Sequence, residues 1–184
     1  MSNVVLHGHS FKVKITSAEI EEAVADIARQ MNSDLKDKKP LFFAVLNGAF
    51  IFAADLMKKV TVQSEISFVK LASYHGTTSI GKIKPLIGIN EDVKGRTVVI
   101  LEDVIDSGET IANVRNQLSS LGAAEIKIAT LLFKPDAYTK DVHIDYVAIV
   151  IPNDFVVGYG MDYKGLGRNL EDIYVLDYEA ETIK

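Results

Sequence analysis

Apolar and polar positions change period along the chain, and each change marks an element. Ile20, Ala23, Val24, Ile27 and Met31 recur at the spacing of one helical face. Thr16 stands just before them with Glu19 three residues on, the pattern of a capping box, so a helix is predicted to open there. A polar break over Asn32 to Lys39 leads to Pro40 and the apolar run Leu41 to Leu46. That run is too short for a globular helix and predicts a buried strand. Asn47 and Gly48 end it, and a second helix is predicted over 49–60 with Phe50, Ala53, Ala54, Met57 and Val60 on its apolar side. Strand, tight turn and helix in succession are the first half of a βαβ unit.

The same grammar continues. A strand is predicted over 64–72, then a polar, Gly-bearing stretch from Ser73 to Lys84, then an extended run from Pro85 to Ile89, together a hairpin or flap. The β-branched run from Arg96 to Leu101 reads as a strand buried on both faces. From Thr110, Ile111, Val114, Leu118 and Leu121 mark a helix that Gly122 can close with a left-handed cap. Further strands are predicted at 125–133, 145–151 and 173–176. Strands alternating with helices predict an α/β fold with a mainly parallel sheet flanked by helices. No repeat or linker divides the chain, so one domain is expected.

Composition narrows the class. The 184 residues are 48% hydrophobic with only 4 Pro, enough to bury a core, and no apolar run approaches the ~18 residues of a membrane span. With 20 Lys plus Arg against 25 Asp plus Glu the formal charge is -5, which argues against an extended nucleic-acid surface but not against a small anionic substrate. The absence of Cys removes disulfides, thiolate metal sites and cysteine nucleophiles together, and fits a reducing compartment. No secretory or transit pattern is readable, and a cytoplasmic location is expected. His7 and His9 are expected in a loose polar tail, since further metal ligands are lacking.

The most informative segment runs from Val98 to Thr110, where an apolar strand is followed by Glu102, Asp103, Asp106, Ser107, Gly108, Glu109 and Thr110. Ligands of open parallel sheets bind beyond the carboxyl ends of the strands, and the turn into the next helix lets backbone N–H groups and hydroxyls converge on a phosphate. One carboxylate would serve as a cap, but three carboxylates within five residues exceed what capping needs. Glu102 and Asp103 suit sugar hydroxyls or a hard cation.

This segment resembles the phosphoribosyl-pyrophosphate motif of the type I phosphoribosyltransferases: apolar strand, Glu-Asp, two apolar residues, Asp-Ser-Gly, then Thr. Leu46-Asn47-Gly48-Ala49 resembles the family's pyrophosphate turn, Ser73-Tyr74 its mobile-loop signature, and Ile151 to Arg168 the hood of hypoxanthine–guanine phosphoribosyltransferases, all in the family's order. The resemblance implies a single domain over 1–184, with a core near 35–150 and a hood from about 1–15 and 151–184. It implies transfer of phosphoribosyl from phosphoribosyl pyrophosphate to a 6-oxopurine with Mg²⁺, in a homodimer or homotetramer.

Residue by residue, the resemblance makes Asp106 the acid/base group at purine N7 and Lys134 a donor to O6. Phe155 would stack on the base and the Val156 backbone would read its edge. Residues 107–110 would hold the 5′-phosphate, and Leu46, Asn47, Gly48 and Arg168 the pyrophosphate. Ser73 and Tyr74 would close over the sugar. Glu102 and Asp103 would hold the ribose hydroxyls and one Mg²⁺, and Asp162 would lie near a second. The chain departs from the family at Asn47, where Lys or Arg is usual. Related enzymes carry a cis peptide at this turn.

Two rivals remain in view. Gly76 to Lys82 matches a nucleotide-binding P-loop, but Ile83 replaces the required Ser or Thr and the segment opens no helix. A non-catalytic regulator of the same fold, binding phosphoribosyl pyrophosphate as a signal, is disfavoured by the presence of Asp106, Lys134 and Arg168 together with the negative charge.

Overall fold

The computed structural model describes residues 3–72 and 84–181. In chain order the elements are β1 (Val4–Leu6), β2 (His9–Ile15), α1 (Ser17–Asp34), β3 (Leu41–Leu46), α2 (Phe50–Met57), β4 (Glu65–Ala72) and β5 (Lys84–Ile87). Then follow β6 (Thr97–Ile105), α3 (Glu109–Ser120), β7 (Glu125–Phe133), β8 (Tyr146–Val150), β9 (Val156–Val157), β10 (Ile173–Leu176) and α4 (Tyr178–Glu181).

The large sheet has the order β5-β4-β3-β6-β7-β8. Its last five strands run parallel, and β5 pairs antiparallel with β4 as the predicted hairpin. Every residue of β3 except Leu46 is buried, as a central parallel strand covered on both faces requires. Alternate side chains serve opposite layers. Leu41, Phe43 and Val45 pack with Ile111, Val114 and Leu118 of α3. Phe42 and Ala44 pack on the other face with Val24 and Ile27 of α1 and Phe52 and Leu56 of α2. Each fully buried side chain of this size contributes about 1.5–3 kcal/mol, so the central strands fix the frame on which the loops sit.

Thr16 caps α1 as its sequence predicts. The Glu19 N–H donates to Thr16 Oγ1 at 3.4 Å and the Thr16 N–H to Glu19 Oε2 at 2.8 Å. Three expectations are corrected. α2 stops at Met57; of its predicted apolar side Ala53 is buried and Met57 and Val60 pack partly buried against the core, but Phe50, 42% exposed, and Ala54 face outward, and Phe52 and Leu56 are buried instead. So much of this helix is apolar that the sequence fits more than one face, and packing on β3 selects among them. Strand β6 continues to Ile105, so Glu102 and Asp103 lie within the strand.

The third correction concerns the N-terminus. His7 and His9 belong to a β-hairpin, not a tail: His7 (φ +48) and Gly8 (φ +82) form the two-residue turn between β1 and β2. This hairpin heads the second sheet, order β1-β2-β10-β9, all antiparallel. Its own small core holds Phe11, Val157 and Tyr174. Among the described residues no helix is long and apolar enough to cross a membrane.

Candidate active site

The ends of β3, β6 and β7 carry the polar segments singled out in the sequence. After Ile105 the chain turns through Asp106, Ser107 and Gly108 into α3. Gly108 has φ +84, and a Cβ there would collide with the Tyr138 ring, so only glycine fits this corner. Gly108 itself offers no side-chain cap; Ser107 Oγ accepts from the Glu109 N–H at 3.4 Å, and further N–H groups of the first turn of α3 are left to be satisfied from outside. A concavity of ≈ 80 Å³, lined by Glu102 and residues 104–111, faces them. N–H groups, hydroxyls and the helix dipole together suit a phosphate. The Glu109 carboxylate turns outward to pair with Lys140, and the Thr139 N–H donates to the Ser107 carbonyl at 3.3 Å, bracing the loop from the β7 side.

Strands β6 and β7 are in register through Ile105 and Phe133, so the residues that follow them are neighbours. Lys134 Nζ donates to Asp106 Oδ2 at 3.2 Å. The lysine is 7% exposed while the aspartate is open to solvent, so a buried ammonium is aimed at an accessible carboxylate.

Deeper in β6, Glu102 and Asp103 are both buried. Burial, and then the Asp103 charge, hold the Glu102 carboxyl well above its usual range, and Glu102 Oε2 has no hydrogen-bond partner. Burial also raises Asp103, against the opposing pull of hydrogen bonds and the Arg168 charge. The turn after β3 comes against this pair: a Cβ on Gly48 would fall on the Asp103 carboxylate, and the Leu46–Asn47 peptide is cis. Asn47 is exposed.

The stretch from Gly158 to Arg168 closes the site from the hood side. Gly160 abuts the Gly48 carbonyl so closely that a Cβ would not fit. Arg168 Nη1 donates to the Gly160 carbonyl at 2.6 Å, and Nη2 pairs with Asp162. The other Asp162 oxygen accepts from the Gly165 N–H at 2.7 Å. Phe155 is 52% exposed, its ring edge-on to Tyr163 at 5.6 Å, while Val156 is buried in β9. An aromatic this exposed offers a face on which a planar ring can stack.

A family model described as phosphoribosyl transferase domain matches residues 15–164. The chain belongs to this family. The hypoxanthine-guanine phosphoribosyltransferase of Streptococcus pneumoniae is 41% identical over 170 residues, 92% of this chain and 94% of that protein. Among solved structures, a hypoxanthine phosphoribosyltransferase of Staphylococcus aureus superposes with a TM-score of 0.85 at 32% identity, covering 92% of each chain. A Trypanosoma cruzi hypoxanthine phosphoribosyl transferase gives 0.86 at 29% identity over 98% of each.

In this phosphoribosyltransferase the sheet brings together Gly48, Glu102, Asp103, Asp106 and Lys134, and the hood adds Arg168. Ser73 and Tyr74, and the P-loop-like run 76–82, lie outside the described residues. Two groups escaped the sequence reading. One is Tyr159 with Asp55, for which the Gly-Tyr-Gly triplet over 158–160 was the available signal. The other is Tyr163, whose ring meets those of His7, His9 and Phe11. The alternation of Phe11, Val13 and Ile15 could have marked that strand.

Proposed function

We propose that this phosphoribosyltransferase joins hypoxanthine, guanine or both to the ribose C1 of phosphoribosyl pyrophosphate, releasing pyrophosphate and giving IMP or GMP. The observation that carries the reading is the Lys134–Asp106 pair at the rim of the phosphate loop. Lys134 can donate to a purine O6 while Asp106 accepts or returns the proton at N7, and the two are held side by side by strand register. Phe155 stacks on the base and the Val156 backbone reads its edge. A hydrogen-bonding site of this kind selects an oxo group far better than apolar fit could.

Residues 107–110 take the 5′-phosphate. Leu46, Asn47, Gly48 and Arg168 take the pyrophosphate. The orphaned buried oxygen of Glu102 beside Asp103 fits a hard cation, which retains water and substrate oxygens and needs few protein ligands. When bound there, Mg²⁺ supplies charge neutralisation for the leaving pyrophosphate. Both Asp162 oxygens are already engaged, so a second Mg²⁺ would share this carboxylate with Arg168. We further propose one domain with a hood, acting as a cytoplasmic homodimer or homotetramer.

Ultraviolet monitoring of hypoxanthine, guanine and xanthine, each with phosphoribosyl pyrophosphate and Mg²⁺, tests the reading. Turnover of a 6-oxopurine that stops on chelation is expected. No turnover with any of the three would sink it.

A further inference from the structure

Three successive residues in the hood, Gly158 (φ +106), Tyr159 (φ +48) and Gly160 (φ +99), adopt left-handed backbone. Glycine does this without strain, whereas a residue with a side chain is strained there. The middle residue is nevertheless a tyrosine, and its ring is buried. Its hydroxyl crosses from the hood to the core and donates to Asp55 Oδ2 of α2 at 2.7 Å. Asp55 also accepts from Lys58 Nζ at 2.7 Å. Burial alone would push the Asp55 carboxyl up, but the Lys58 and Tyr159 hydrogen bonds outweigh it and keep the group ionised.

The backbone around this phenol leads to the site. Tyr159 N–H donates to the Leu170 carbonyl and Gly160 N–H to the Arg168 carbonyl, both at 2.9 Å. The Arg168 guanidinium donates back to the Gly160 carbonyl, and Gly160 seats on the Gly48 carbonyl. On the core side, α2 begins directly after the turn containing Gly48. One hydrogen bond therefore ties together the two segments that meet at the pyrophosphate end. The two side chains themselves line a separate cavity of ≈ 410 Å³ between α1, α2 and the hood, away from the phosphate loop.

We propose that the Tyr159–Asp55 hydrogen bond is a positioning device that sets Arg168 and the Gly48 turn for the pyrophosphate group, acting from outside the site. It rests on the function proposed above. Because Lys134 and Asp106, which meet the base, hang on the ends of β7 and β6 and not on this segment, its loss should fall mainly on phosphoribosyl pyrophosphate.

The test is a comparison of steady-state constants for Tyr159→Phe, Asp55→Ala, their combination and Asp55→Asn, with melting curves alongside. Tyr159→Phe and Asp55→Ala should each raise KM for phosphoribosyl pyrophosphate roughly fivefold to twentyfold, a part of the full worth of a hydrogen bond to a charged group, because the device acts on the site through the backbone. KM for hypoxanthine and kcat should stay within about twofold. The combined variant should be no worse than either single one, because both remove the same interaction. Asp55→Asn keeps an acceptor oxygen and should restore most of the affinity. Should Asp55→Ala fail to fold, Tyr159→Phe, which loses a single oxygen, carries the test. Equal increases in both KM values, additive losses, or an unchanged KM in Tyr159→Phe would overturn the positioning role while leaving the wild-type activity in place. A wild-type chain without turnover would instead overturn the underlying reading of function.

Discussion

Lys134 Nζ lies 3.2 Å from Asp106 Oδ2, and of the two only the lysine is buried. The asymmetry follows from strand register: each is the residue just past the end of its strand, but Lys134 reaches back under the loop and Asp106 points out of it. An ammonium desolvated in this way depends on an acceptor, which Asp106 provides in the free protein. In the proposed reaction the purine O6 can share that task, freeing the carboxylate for N7.

Asp106→Asn retains size and a hydrogen-bonding oxygen but cannot take a proton. It should lower kcat by roughly 10²–10⁴ while the protein remains folded. Pre-steady-state and steady-state turnover of hypoxanthine, with circular dichroism as control, checks this, and unchanged turnover removes Asp106 from the role of base.

Lys134→Ala should blunt discrimination between 6-oxo and 6-amino purines. The site then has no dedicated donor to O6, so competition assays with hypoxanthine and adenine should show the preference shrinking by about tenfold or more. A preference that survives intact assigns the selection to another group.

Glu102 predicts a pH effect on the metal-free protein. Its folded carboxyl holds its proton well above the ordinary 4.5, because of burial first and the Asp103 charge second. Between the unfolded and folded values the folded state binds the proton and the unfolded state does not, so stability falls as pH rises through that window and the loss is complete above it. Melting temperatures in chelator should therefore decline relative to Glu102→Gln as pH increases from about 4.5. A difference that is flat with pH would contradict the shift.

Gly48→Ala places a methyl group on the Asp103 carboxylate. Since Asp103 is buried and has little room to retreat, the variant should melt lower by an amount corresponding to about 1–3 kcal/mol of overpacking, and bind phosphoribosyl pyrophosphate less well. Calorimetry of both quantities reads the two effects, and wild-type values for both would show that the turn can shift freely.

What was legible in the sequence is what local physics dictates. The capping box at Thr16, the apolar runs of β3 and β6 and the cap at Gly122 needed no partner to be read. The apolar face of α2 was legible only in part, because a helix so rich in apolar residues offers several, and only contact with β3 chooses. The Lys134–Asp106 pair rests on register between strands whose residues lie 28 apart in sequence. Spacing places each at a strand end, and only the register makes them neighbours. Tyr159 with Asp55 was hidden for the same reason at a separation of 104 residues.

The small sheet pairs β2, near the beginning of the chain, directly with β10, near its end, with Val13 opposite Tyr174. The large sheet, by contrast, is assembled from segments that arrive in succession. During synthesis the phosphate loop and the Lys134–Asp106 pair can therefore take shape while β2 still waits for its partner, and the hood closes only once residue 176 has left the ribosome. Contacts of such long range are the slowest to form, so the aromatic platform at Phe155 should be the last part of the molecule to become competent.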